Sequence, residues 1–406
     1  MSSGKKQFLS ETSKIFIKKI AKYFKEGLKQ LTSEKEDSNT SITTSEIYTS
    51  ETSALKKGLK YTYINEEIRQ SIETSHWIGQ TITFTVHSKK ITLHFTYPTL
   101  SIKKDLKKVE RFFQNIKFRI YSWLYIASLE SERGCSTDLT IYFYFTDFKK
   151  RLPAQKKVPI DELNVNTGFT FSCSLTESGK NEMYIYRKEE WFKVLIHECF
   201  HAFSLDFSGV SRELLERTDR EVIQTMFPIH IDLRFYETYC EMWAEILQII
   251  YANIDEIIQD KNINGKNENA IDKWSKFERM LRTDQLHSLK QGAKILKNYH
   301  MSYTDLFERT DKAKLKRMEY REVSPVISYY LLKSIFYMHI NEYIEWTSVN
   351  NRGTLRFLKT ELSLKSYIGL LRECYKTPKY IDSMKLAEKT LNQKDTNLRM
   401  SCFEIA

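Results

Sequence analysis

Two imidazoles four positions apart, with a carboxylate directly after the first, stand in the run His197-Glu198-Cys199-Phe200-His201. Residues 189–205 carry a helical pattern, so this spacing puts both histidines on one face, where their nitrogens can grip a single ion. Glu198 is then within reach of a water on that ion. Two neutral nitrogen donors, an adjacent base and open coordination positions are what a zinc hydrolase needs, so Zn2+ is the expected cofactor. Val194, Leu195, Ile196, Phe200 and Phe203 surround the motif and predict a buried helix. A glutamate and two histidines among such neighbours are costly to bury without a shared partner, and a cation is the simplest one.

A third ligand must come from elsewhere. The extended pattern H-E-x-x-H-x-x-G-x-x-H would need glycine where Ser204 stands and histidine where Phe207 stands, so the metzincin arrangement is excluded. Asp206 follows His201 too closely for easy coordination. The better source is 236–245, a strong helix former that carries Glu237, Glu241 and Glu245 one turn apart. Three like charges in a row repel. With Phe235, Trp243, Ile246, Leu247, Ile249 and Ile250 on the same helix they are also expected to be buried. Such acids make sense if one binds a cation and another orients a ligand histidine.

These two segments resemble the gluzincin zinc peptidases, which pair H-E-x-x-H on one helix with a glutamate on a second, often as E-x-x-[A/S]-[D/E]. Glu241-Met242-Trp243-Ala244-Glu245 matches that pattern, and Glu237-Thr238-Tyr239-Cys240-Glu241 matches it more loosely. The resemblance implies His197, His201 and Glu241 as metal ligands, with Glu237 and Glu245 as supporting acids or, for Glu237, the alternative ligand. Glu221 ranks third, lacking a small residue and an acid after it. Runs such as RKEEWFKVLIHECFH and YETYCEMWAE are also similar to zincin-like proteins of large DNA viruses. The implied activity is hydrolysis of peptide bonds in a polypeptide substrate. Glu198 acts as general base, and Tyr329 or Tyr330 acts as donor to the oxyanion. Tyr236, Tyr239 and His230 are alternative donors. The rival expectation is a catalytically inactive zincin scaffold that binds a partner.

The elements that must position these residues form an α+β pattern: a small zincin-like sheet with the H-E-x-x-H helix, then a mostly helical C-terminal half. Alternation over 80–97 predicts a hairpin turning at Ser88-Lys89-Lys90, with His87 and His94 read as ordinary strand residues rather than a metal pair. A helix over 103–131, strands over 139–146 and 168–174, and a strand over 181–187 follow. The last of these leads into the motif helix, so Met183, Tyr184, Ile185 and Tyr186 are expected at the sheet edge where an extended substrate would pair. Helices are expected over 211–225, 231–252, 272–299, 312–320, 326–347, 362–374 and 380–391.

In domain terms, 1–31 reads as a basic amphipathic helix and 32–54 as a disordered Ser/Thr-rich linker. The metallopeptidase domain is expected over 55–406, with its sheet in 55–205 and its helical half in 206–406. Phe16, Ile17, Ile20, Phe24, Leu28 and Leu31 form one stripe of the first helix. Lysines occupy its other faces, as for an anionic membrane surface or a protein partner. The net charge of +11 fits acidic partners, but no specific nucleic-acid motif is present. Six scattered cysteines without a C-x-x-C pair read as reduced. With no apolar signal core and no membrane-length apolar run, an intracellular, cytoplasmic protein is expected.

Overall fold

The computed structural model describes residues 8–33, 43–45, 48–50, 63–98, 106–176, 179–259, 274–392 and 394–404. In the first half, helix α1 (Glu11–Ser33), strands β1 (Thr43–Thr44) and β2 (Tyr48–Ser50) and helix α2 (Glu66–Thr74) precede the hairpin β3 (Trp77–Val86) and β4 (Lys89–Pro98). Next come α3 (Leu106–Glu130), β5 (Asp138–Thr146), the one-turn α4 (Glu162–Val165), β6 (Gly168–Thr170) and β7 (Lys180–Arg187). The motif helix α5 (Trp191–Ala202) follows, then α6 (Arg212–Thr225), α7 (Phe235–Ala252), α8 (Ile254–Gln259), α9 (Ser275–Asn298) and α10 (Asp311–Glu319). A π-helical turn (Ile327–Leu332) runs into α11 (Lys333–Met338), and α12 (Ile340–Asn350), α13 (Glu361–Cys374) and α14 (Pro378–Lys389) complete the helical half.

One mixed sheet has the order β1-β3-β4-β5-β7-β6, with β2 also lying along β3. Period-two alternation sends Met183 and Ile185 of β7 into the main core and Tyr184 and Tyr186 to the other face, against Ile68 and Ile72 of α2. The mixed sheet and helical second half agree with the α+β expectation. The hairpin turns one residue earlier than expected, at His87 and Ser88, which both adopt positive φ (45° and 65°) as a two-residue turn demands. His87 stacks on Tyr125, while His94 bonds Thr81 and stacks on Tyr142, so the two do not share an ion.

Four expectations need correction. The strand at 183–186 is not the sheet edge: Met183, Tyr184 and Ile185 pair with β5 on one side and with β6 on the other. The short antiparallel strand β6 stands outside it instead. Within 32–54, β1 and β2 pair with β3 rather than forming an open linker; the remaining residues there lie outside those described. Cys135 and Cys173 form a disulfide that ties the approach to β5 to the segment after β6, so the cysteines are not all reduced. Cys199, Cys240, Cys374 and Cys402 are free thiols.

The fourth concerns α1. Its apolar stripe does not await a membrane, because Phe16, Ile17, Ile20 and Phe24 are buried in the same core as the sheet and the motif helix. Phe24 packs between Trp123 of α3 and Tyr251 of α7, and Phe16 meets Trp243 edge-on at 5.8 Å. Burial of that stripe stabilises the body itself, so the helix is not a separate unit. Among the described residues no helix is long and apolar enough to cross a membrane. Phe24→Ala is therefore expected to lower unfolding free energy by about 3–5 kcal/mol, read from the urea midpoint.

Candidate metal centre

Helix α5 is bracketed by two left-handed residues that fix what its ends present. Glu190 (φ 58°) turns the chain from β7 into the helix, and Ser204 (φ 60°) turns it back at the other end. A non-glycine residue in this region is held only when its surroundings compensate. For Glu190 they do: its carboxylate takes Lys150 Nζ at 2.9 Å and the Ser401 amide at 2.8 Å, all buried. At Ser204 the reversal lets the Leu205 amide bond the Phe200 carbonyl at 2.8 Å and folds Asp206 back beneath His201. Asp206 Oδ2 lies 2.6 Å from His201 Nδ1 and so fixes that ring. With Cys240 these two residues also form a second buried group whose donor atoms lie close enough to share a cation.

With one nitrogen of His201 tied to Asp206, Nε2 faces the opposite way, 3.3 Å from His197 Nε2. Helix α7 packs against α5 and brings a carboxylate to this point. Glu237 Oε2 lies 3.0 Å from His197 Nε2 and 3.3 Å from His201 Nε2. These three donor atoms converge closely enough to share a cation. The glutamate that meets both imidazoles is thus Glu237, the alternative, rather than Glu241. Both oxygens of Glu241 face Lys193 Nζ, at 2.6 and 2.9 Å. Its Oε1 also lies 3.0 Å from His197 Nδ1, off the ideal hydrogen-bond line.

Glu245 does not reach an imidazole, because Lys333 holds its Oε1 at 2.6 Å. Glu221 is farther removed, paired with Arg372 on the surface. Cys240 approaches the back of the site, its sulfur 3.9 Å from His201 Nδ1 and 3.8 Å from Asp206 Oδ2.

The two tyrosines separate. Tyr329, half-buried in the π-helical turn, has its ring centroid 6.0 Å from that of His197. Ser328 pins this turn to α7, its hydroxyl accepting from the Arg234 amide and its carbonyl from Thr238 Oγ1. Tyr330 instead donates to the Leu398 carbonyl at 2.6 Å, a core contact. Tyr236 flanks His201 with ring centroids 6.0 Å apart, Tyr239 donates to the Leu355 carbonyl in the core, and His230 is exposed.

A cavity of about 30 Å³, room for one water, is bordered by His197, Glu198, Gly168, Tyr329, Lys150 and Met400. The Glu198 carboxylate, beside this cavity, makes no ion pair or hydrogen bond among the described residues. Burial pushes the Glu198 carboxyl above its ordinary value. Burial would lower His197, but Glu241 and Glu237 outweigh it and raise the ring to about 9. Against the same burial, Cys240, Asp206 and Glu237 raise His201 well above 6.5, and the imidazoles hold Glu237 far below the carboxylate range. Two imidazole nitrogens and a carboxylate oxygen within mutual reach form a donor set that could hold a divalent cation, which would have to displace the protons these rings retain.

Lys193, Lys150 and Met400 were not anticipated from the sequence. A lysine one turn before His197 in an otherwise apolar helix was the available signal for the first; the other two are brought in from distant segments. Comparison with family profiles, curated proteins and solved structures finds no match.

The Lys150–Glu190 pair has a pH signature. Burial would raise the Glu190 carboxyl, but Lys150 and Lys193 outweigh it and hold it down to about 2. A depressed carboxylate contributes stability above its ordinary value of 4.5, which is lost as pH falls through 2. Glu190→Gln strands a buried lysine, so it is expected to cost about 3–5 kcal/mol at pH 7. In urea unfolding, the gap to the native chain should narrow between pH 4.5 and 2.

Proposed function

We propose that this chain is a zinc-dependent peptidase of the gluzincin type, with His197, His201 and Glu237 as the metal ligands. The observation that carries the reading is the convergence of His197 Nε2, His201 Nε2 and Glu237 Oε2, within 3.0–3.3 Å of one another, beside a Glu198 carboxylate that has no ion-pair partner among the described residues. Bound zinc would supply Lewis acidity and a water acidic enough to ionise near neutral pH. Asp206 holds the His201 ring from behind, and the Glu241 carboxylate stands 3.0 Å from His197 Nδ1. Glu198 takes the proton of the attacking water and returns it to the leaving amine. Tyr329, half-buried beside His197, donates to the oxygen that becomes negative as the carbonyl is attacked.

The substrate is a polypeptide, entering along β6, the short strand that ends the sheet next to the cavity. With room for one water, the cavity admits a peptide only after displacement of Tyr329, Met400 or the 165–168 segment. That tightness favours one second reading, a metal-holding zincin scaffold that binds a partner without hydrolysis.

Metal analysis of the purified protein is expected to give one zinc per chain, and chelation to abolish hydrolysis of an unstructured polypeptide. Glu198→Gln should keep the zinc and the fold while lowering kcat by about 10²- to 10⁴-fold. Tyr329→Phe should cost about 10²- to 10³-fold. Full zinc occupancy with no hydrolysis in the native chain would favour the scaffold, and absence of zinc would remove both readings.

A further inference from the structure

Three lysines, Lys150, Lys193 and Lys333, are buried around the metal centre. Lys150 closes on Glu190 and Lys333 on Glu245, carboxylates that touch neither imidazole. Lys193 differs. Its ammonium has three donors and meets three acceptors: both oxygens of Glu241, at 2.6 and 2.9 Å, and the Met400 sulfur at 3.2 Å. The carboxylate it grips also stands 3.0 Å from His197 Nδ1, while the other nitrogen of that ring faces Glu237.

Glu237 and Glu241 lie one turn apart on α7, and both approach His197, at opposite nitrogens. A buried glutamate free to swing about its side-chain torsions would compete for any cation at the imidazoles. Lys193 removes that freedom, because it binds both Glu241 oxygens, at 2.6 and 2.9 Å. We propose that Lys193 is a positioning residue that decides which glutamate becomes the metal ligand. It fixes the Glu241 carboxylate 3.0 Å from His197 Nδ1, on the ring side opposite Nε2, so Glu237 is left to complete the set. This rests on the metal-site reading above and deepens it.

The test uses full-length apoprotein reconstituted with Co2+, following the visible spectrum and the dissociation constant by chelator competition. Lys193→Met is expected to weaken cobalt binding by about 10- to 100-fold, the usual cost of losing a residue that orients a ligand. It should also alter the visible bands, as the released Glu241 carboxylate reaches the ion. The double variant Lys193→Met/Glu241→Gln removes both charges, so it folds without a stranded ion. Its bands should return toward those of the native protein while affinity stays weakened. A merely structural lysine would lower the melting temperature and leave the cobalt spectrum unchanged.

Native bands and affinity in Lys193→Met would overturn the proposal. If that variant does not fold, native affinity in the double variant overturns it and weakened affinity supports it. Failure of the native chain to take up cobalt would instead overturn the metal-site reading on which the proposal stands.

Discussion

Three carboxyl groups buried in a row on α7 are the constraint around which the centre of this protein is built. Neighbouring acids one turn apart repel, and each would cost several kcal/mol to bury unmatched. The fold gives each its own partner: the two imidazoles for Glu237, Lys193 for Glu241 and Lys333 for Glu245. These pairings offset the cost of burying the acids where α5 and α7 pack together. Because pairing fixes side chains as well as compensating charge, it also sets the imidazoles at ligand distance.

The same network draws in chain segments far apart in sequence. The stretch 396–402 runs past the site, with its backbone bonded to buried side chains: Tyr330 at Leu398, Lys333 at Met400, Glu190 at Ser401 and Asp284 at Cys402. Met400 closes the last donor of Lys193 and borders the cavity. Backbone conformations usually avoided outside glycine then become tenable, since ion pairing at Glu190 offsets its left-handed turn. The π-helical turn carrying Tyr329 is a similar local irregularity, of a kind often found at functional sites.

Much of the architecture was legible locally. The hairpin, β5, the motif helix and most helices of the second half follow from period-two and period-3.6 patterns, with ends within a few residues of expectation. The single helix expected over 326–347 is instead a π-helical turn and two helices broken at His339, and α8 was not expected. Where the reading failed, the deciding contact was distant. The stripe on α1 looks the same whether it meets lipid or protein, and only Trp123, Tyr251 and Trp243 reveal which. The strand at 180–187 looked like an edge because alternation marks a strand near 168 without saying which neighbour it pairs with, and β6 lies antiparallel outside β7. A 38-residue separation gave no reason to pair Cys135 with Cys173.

By itself the sequence determined that His197, Glu198 and His201 share one helical region and that a second helix carries three acids at turn spacing. Both follow from intervals along one element, which the 3.6-residue repeat converts into geometry. Only the tertiary structure decided which acid faces the imidazoles. That choice depends on how α7 is rotated and shifted against α5, and on Lys193 claiming both oxygens of Glu241. A residue's periodicity names the face it shares, but the facing helix selects the atom that arrives there.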